Sequence, residues 1–85
     1  MWHLFESKPY KKDKKARTDI KKAVEKAETN IAQEPKVGQN IKKLEGLVSE
    51  YRYRIGGDRI LYKVDDQNET VVLNALKPRG DVYKK

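Results

Sequence analysis

The sequence predicts a small α+β domain, in which two N-terminal helices pack on one face of an antiparallel four-stranded sheet. A short N-terminal strand is followed by two segments with helical periodicity, and three segments with strand periodicity come after them. The predicted order of elements is therefore β-α-α-β-β-β. The chain has 85 residues, which suffices for one domain, and we expect that domain to span residues 1–85.

The composition indicates a basic, folded domain without cysteine. The net charge is +7, and such a surplus on a small domain favours an anionic partner such as nucleic acid. The absence of cysteine excludes disulfides and thiolate metal sites, and no pattern suggests another metal or a cofactor. No apolar run approaches the roughly 18 residues that cross a membrane, and the N-terminus lacks a secretory pattern. We therefore expect a cytoplasmic protein with no membrane partner.

The first half of the chain predicts a strand and two helices. Residues 1–6 are rich in β-prone side chains, and Ser7 is a candidate N-cap for a short lysine-rich helix over residues 8–16. A second helix is predicted over residues 18–33, and Pro35 marks its end. The apolar stripe of this helix consists of Ile20, Ala23, Val24, Ala27 and Ile31.

The second half predicts three consecutive antiparallel strands. Residues 35–48 are interpreted as a connector because proline and glycine punctuate them. Alternating segments at 49–55 and 58–64 flank a Gly-Gly turn, which is a strong signal for a β-hairpin. The last strand, at 70–76, is apolar enough to lie in the centre of the sheet.

In the register that the Gly-Gly turn sets, the hairpin has an apolar face and a basic face. Arg54 lies opposite Arg59, and cross-strand partners share a face. The apolar face collects Tyr51, Tyr53, Ile55, Ile60, Tyr62 and Val64. The basic face collects Arg52, Arg54 and Arg59, together with Leu61 and Lys63. Because like charges opposite each other destabilise a sheet, we interpret the basic face as a site for an anionic ligand.

Three motifs in this order resemble the RelE/ParE superfamily of bacterial toxin–antitoxin modules, and in particular its RelE-type messenger RNA interferases. They are Lys42-Lys43-Leu44 before a glycine, the arginine-bearing hairpin, and Arg79-x-x-x-Tyr83. The resemblance covers essentially the whole chain. It implies a toxin that a cognate antitoxin neutralises and that cleaves messenger RNA in the decoding site of the 30S ribosomal subunit.

The resemblance also implies site residues. The positions that match the catalytic residues are Arg52, Arg59, Arg79 and Tyr83, and further RNA-binding positions are Lys42, Lys43, Arg54 and Lys77. Many relatives have histidine near the position of Pro78, and this chain has no histidine there. The match around residues 77–79 can shift by one or two positions, so either Lys77 or Arg79 fills the basic role. ParE-type members share the fold but act on DNA gyrase. A gyrase inhibitor and a non-catalytic RNA-binding domain therefore stay open as alternatives.

The residue inventory is compatible with cleavage of RNA through its own 2′-hydroxyl. The only histidine, His3, lies in the first predicted strand, which leaves arginine, lysine and tyrosine for the chemistry. Arginine stabilises phosphate charge through its planar fork but does not lose its proton. Tyrosine has a pKa of about 10, which neighbouring guanidinium groups lower, so Tyr83 is the candidate base. Such a site is weak alone, and a ribosome that orients the RNA would supply much of the rate.

Overall fold

Two helices cover one face of a five-stranded sheet in the computed structural model, which describes residues 2–44, 46 and 48–78. In chain order the elements are β1 (His3–Glu6), α1 (Lys8–Ala16), a 3-10 turn (Thr18–Ile20), α2 (Lys21–Gln33), β2 (Ile41–Lys43), β3 (Glu50–Ile55), β4 (Asp58–Asp65) and β5 (Thr70–Pro78). The predicted α+β class and the predicted order of helices and hairpin strands are confirmed.

The strand order is β1-β5-β4-β3-β2, and it corrects the predicted sheet in two respects. Residues 41–43, which we expected within a connector, form the edge strand β2 antiparallel to β3. A strand of three residues is too short to show alternation in the sequence. Strand β1 runs parallel to β5, whereas we expected an antiparallel sheet throughout. No hairpin links these two strands, so no local turn determined their relative direction.

Local signals begin and end the helices. The Ser7 hydroxyl caps α1 by accepting a hydrogen bond from the N–H of Tyr10 at 3.2 Å. Helix α2 ends at Gln33 because Glu34, the residue before Pro35, is extended. The segment predicted to open the second helix forms a 3-10 turn instead, and no side chain caps α2. Neither helix of the described part has the length and apolarity needed to cross a membrane.

The core lies between the helices and the inner face of the sheet. Its buried members are Tyr10, Val24, Ala27, Ile31, Tyr53, Ile60, Tyr62, Val64, Val71, Leu73 and Leu76. The predicted stripe of α2 supplies three of them, but Ala23 is exposed and Ile20 is half-buried. The Tyr62 hydroxyl donates to the carbonyl oxygen of Pro35 at 2.7 Å. Tyr53 and Tyr62 are buried in the core, as their place on the apolar face predicted, and Tyr51 is half-buried against it.

Helix α1 also covers the part of β5 that the short β1 does not reach. Strand β1 pairs only with residues 70–73. Beyond it, Oδ2 of Asp13 accepts a hydrogen bond from the N–H of Leu76 at 3.1 Å. The same carboxylate lies 3.7 Å from Nζ of Lys77. A side chain thus provides the hydrogen-bond acceptor for a backbone N–H at the part of β5 that β1 does not pair with.

Candidate nucleic-acid interface

The face of the sheet opposite the helices carries five cations near the β3–β4 turn. The hairpin register is the predicted one, with Arg54 opposite Arg59. Lys77 on β5 is the next partner of Arg59, and Lys42 on β2 is the partner of Arg52. We call this group the basic cluster, and its members are Lys42, Arg52, Arg54, Arg59 and Lys77.

The register of β2 separates two lysines that the sequence analysis grouped together. Lys42 lies opposite Arg52, so it shares the open face with the arginines. Lys43 lies opposite Tyr51, whose ring stacks on Tyr62 on the helix side of the sheet. The sheet therefore brings Lys42, and not Lys43, to the basic cluster.

Arg59 is a buried cation at the centre of the basic cluster, with 4% of its surface exposed. Its Nη1 donates to the carbonyl oxygens of Asp58 at 3.0 Å and of Gly56 at 3.4 Å. Its Nε is buried and has no hydrogen-bond acceptor within the described residues. A buried guanidinium that lacks an anion carries a desolvation penalty of about several kcal/mol. An anionic ligand would offset that penalty.

Arg52 is half-buried, whereas Arg54 is exposed. Nη1 of Arg52 donates to the carbonyl oxygen of Asn40 at 3.3 Å. Its Nε is buried, and it too has no acceptor in residues 2–44, 46 and 48–78. Arg52 and Arg54 are two residues apart on β3, so both side chains belong to the open face. The exposure of the three arginines thus increases from Arg59, which is buried, through Arg52 to Arg54, which is exposed.

No carboxylate of the described residues lies within salt-bridge distance of Arg52, Arg54 or Arg59. Asp58, the residue before Arg59 in the chain, is bound by Arg17, with distances of 2.7 and 3.1 Å. Hydrogen bonds to Asp58 and Asp19 raise the pKa of Arg17. Nothing in the described part therefore neutralises the three guanidinium groups.

Arg17 was not identified by the sequence analysis. It follows α1 and lies 41 residues before the carboxylate that it binds. No local pattern links two such positions, because the pair forms only when α1 packs beside the hairpin.

Two of the four predicted catalytic residues, Arg79 and Tyr83, lie outside the described residues. Among the described tyrosines, burial raises the pKa of Tyr62 above its ordinary value. Burial, followed by a hydrogen bond to Glu28, likewise raises the pKa of Tyr10. Both hydroxyls therefore keep their protons near neutral pH. Neither is a general base that would replace Tyr83.

A second basic surface lies on α1, on the helical side of the molecule. Its exposed lysines are Lys8, Lys11, Lys12 and Lys15. Lys14 differs from them, because its Nζ binds the carboxylates of Glu6 at 2.8 Å and Glu28 at 3.0 Å. Burial acts to lower the pKa of Lys14, but these hydrogen bonds outweigh it and raise that pKa. Lys14 thus links α1 to β1 and α2, whereas the other lysines of α1 face solvent.

Comparisons with known proteins agree with this architecture. A family model described as the ParE toxin of the type II toxin–antitoxin system parDE matches residues 6–83. The search of curated proteins found no match to the chain. The solved structures of similar fold include the RelE toxin of Escherichia coli, alone and with its antitoxin, and an archaeal relative.

The intact E. coli RelBE toxin–antitoxin complex matches with a TM-score of 0.80 and 18% identity, over 92% of this chain and 96% of that chain. The isolated E. coli RelE toxin matches with a TM-score of 0.80 and 20% identity, over 98% of this chain and 92% of that chain. The RelE–RelB complex of Pyrococcus horikoshii OT3 matches with a TM-score of 0.79 and 24% identity, over 93% of this chain and 96% of that chain. At these identities the likeness establishes the fold, and with the family model it shows that this chain belongs to the ParE toxin family of type II toxin–antitoxin systems, within the RelE/ParE superfamily.

Proposed function

We propose that this toxin is a ribosome-dependent endoribonuclease that cleaves messenger RNA in the ribosomal A site and so inhibits translation. The observation that carries the proposal is the basic cluster. Its three guanidinium groups share one open sheet face, and no carboxylate of the described residues binds them. An RNA phosphate supplies the anion that this arrangement lacks, and arginine binds phosphate through two nitrogens at once.

The proposed reaction transfers the phosphate within the RNA. A base removes the proton of a 2′-hydroxyl, the 2′-oxygen forms a bond to the adjacent phosphorus, and the bond to the 5′-oxygen breaks. The departing 5′-oxygen takes up a proton from water, so the products are a 2′,3′-cyclic phosphate and a 5′-hydroxyl. Arg52 and Arg59 stabilise the charge that develops on the phosphorane oxygens. We assign the base to Tyr83 and the basic group beside it to Arg79 or Lys77.

The other cations fit roles in binding. Lys42 and Arg54 lie beside the two central arginines and are suited to the neighbouring phosphates of the RNA. The lysines of α1 and Lys43 lie on other surfaces, where they suit a salt-sensitive contact with ribosomal RNA. A cognate antitoxin is the expected protein partner, and the structural matches to RelBE complexes support it. Action on ribosomes implies a cytoplasmic location.

A second candidate function is inhibition of DNA gyrase by the same fold. The family model that matches the chain is named after the ParE toxin, which supports this candidate. A third possibility is a basic RNA-binding domain without chemistry. The basic cluster suits either nuclease activity or RNA binding, whereas cleavage depends further on Arg79 and Tyr83.

The decisive experiment adds the purified protein to ribosomes translating a defined message and maps cuts by primer extension. We expect the wild type to cut within the codon in the A site, and Arg59→Ala or Arg79→Ala to abolish cutting while circular dichroism shows an intact fold. Lys26→Ala is the matched control, because Lys26 is exposed on α2, on the helix side of the sheet and away from the basic cluster. It should cut like the wild type.

Each alternative gives a different outcome. DNA damage signalling in cells without A-site cuts would replace the nuclease by a gyrase inhibitor. Ribosome binding without cuts would leave an RNA-binding domain. Full cutting by the Arg59→Ala, Arg79→Ala double variant would contradict the assigned site.

A further inference from the structure

A cleft of about 260 Å³ lies at the edge of the sheet, between the end of α2 and the start of β2. Pockets for drug-sized ligands measure about 300–1,000 Å³, so this cleft suits a single ring system. Four residues with amide side chains line it, together with Tyr53. The amides are those of Asn30, Gln33, Gln39 and Asn40. The proposed toxin chemistry uses none of these groups.

The hydrogen bond between Asn30 and Tyr53 leaves a donor and an acceptor available side by side. Nδ2 of Asn30 donates to the Tyr53 hydroxyl oxygen at 2.7 Å. The hydroxyl hydrogen of Tyr53 and Oδ1 of Asn30 have no partner within the described residues. Tyr53 is only 7% exposed, so packing holds its hydroxyl in place. Adjacent donor and acceptor groups are complementary to the Watson–Crick edge of a base.

The remaining lining favours a neutral, planar ligand over an anion. Val37, with 73% of its surface exposed, and Ile41 offer apolar walls for the face of a ring. The carboxylate of Glu34 also lines the cleft, and it would repel a phosphate there. Side-chain amides such as those of Gln39 and Asn40 form hydrogen bonds with bases readily. The charge of the cleft thus differs from that of the basic cluster next to it.

The cleft and the basic cluster meet at Asn40. Its carbonyl oxygen accepts the hydrogen bond from Nη1 of Arg52 at 3.3 Å, and the same residue lines the cleft. The Arg52 guanidinium and the cleft are therefore neighbours at this residue. From this juxtaposition we infer that the cleft binds one nucleobase of the RNA whose phosphate Arg52 holds, and thereby sets a base preference. The inference rests on the proposed RNA-binding function.

A direct test is nuclear magnetic resonance of the ¹⁵N-labelled protein with AMP, CMP, GMP or UMP. Ribose 5-phosphate, which has no base, is the control ligand. We expect the side-chain amide signals of Asn30, Gln39 and Asn40 to shift with at least one nucleotide and not with ribose 5-phosphate. The Arg52 Nε–H signal should shift with all five ligands. The amide of Gln67, in the turn between β4 and β5, should not move.

Variants test whether the cleft sets a preference among RNA sequences. Tyr53→Phe removes only the hydroxyl, Gln39→Ala removes one amide, and Gln67→Ala is the matched control. Fluorescence anisotropy gives the Kd of each variant for the four homopolymeric oligoribonucleotides. We expect the ratio of weakest to tightest Kd to fall about 3- to 10-fold in the two cleft variants, as one lost hydrogen bond predicts, and to stay unchanged in the control.

The outcomes separate this inference from the proposed function. Wild-type RNA binding without base preference, or an equal response to ribose 5-phosphate, would overturn the nucleobase cleft and leave RNA binding intact. Amide signals that move with a peptide of the antitoxin and not with nucleotides would make the cleft a peptide site and also overturn it. A wild-type protein that binds no RNA would remove the proposed function, and the inference with it.

Discussion

Arg17 binds both carboxylate oxygens of Asp58, at 2.7 and 3.1 Å. Asp58 is the residue before Arg59, and its own carbonyl oxygen accepts a hydrogen bond from that guanidinium at 3.0 Å. The ion pair holds the carboxylate toward the helices and away from the basic cluster. Arg52, Arg54 and Arg59 therefore have no carboxylate partner among the described residues, although an acidic residue adjoins Arg59.

Removal of Arg17 should weaken RNA binding through Asp58. In Arg17→Ala the carboxylate is free to turn toward Arg59, where it would compete with phosphate. We expect a several-fold weaker Kd for single-stranded RNA by fluorescence anisotropy at fixed salt. The double variant Arg17→Ala, Asp58→Ala should regain most of the affinity because the competing carboxylate is gone. Equal weakness of single and double variants would show that Arg17 acts by supporting the fold.

Arg54→Gln should bind RNA less tightly and yet fold at least as stably as the wild type. Arg54 lies directly opposite Arg59, and like charges at such positions destabilise a sheet by about 0.2–1 kcal/mol. Urea denaturation would measure the gain, and RNA binding the loss. Lys26→Gln, on α2 and on the helix side of the sheet, is the control and should bind RNA as before. If Arg54→Gln were less stable than the wild type, this would contradict the interpretation that the opposed arginines lower stability and serve ligand binding instead.

Asp13→Ala should lower stability by leaving a strand amide without an acceptor. Oδ2 of Asp13 accepts the hydrogen bond of the Leu76 N–H, and Leu76 is 3% exposed. A buried donor without a partner costs about 1–3 kcal/mol, which urea denaturation resolves. Asp13→Asn keeps an acceptor oxygen and should cost less. Equal losses in the two variants would indicate that the charge of Asp13, and not its hydrogen bond, stabilises β5.

The protein should lose stability steeply above pH 10. Burial raises the pKa values of Tyr10 and Tyr62 above the ordinary value near 10. Above pH 10 the unfolded chain releases these protons and the folded chain retains them, so stability is full below pH 10 and falls as the pH rises. The two tyrosines together contribute a slope of about 2.7 kcal/mol per pH unit.

Urea denaturation between pH 9 and 11.5 would measure this slope. Tyr10→Phe and Tyr62→Phe should each remove about half of it. Lys14, whose pKa is also raised, contributes with the same sign and leaves a residual slope in the double variant. A wild-type protein with unchanged stability up to pH 11.5 would contradict the prediction.

Local patterns were enough to predict the hairpin and both helices. The Gly56-Gly57 turn and the alternation around it set the register that places Arg54 opposite Arg59. Ser7 and Pro35 marked the start of α1 and the end of α2. These features depend on residues that are neighbours in the chain, and their physical cause lies in backbone geometry and capping.

The sequence by itself thus determined that the arginines share one face of a hairpin and that tyrosines occupy the other. Only the tertiary structure decided the rest. The parallel pairing of β1 with β5, the ion pair of Arg17 with Asp58, and the cleft between α2 and Tyr53 join segments that are distant along the chain. The position of Lys42 beside Arg52 depends on the pairing of the short edge strand β2 with β3. Such contacts form when the strands pair and the helices pack on the sheet, because both depend on the summed burial of many side chains and leave no local signal at any one of them.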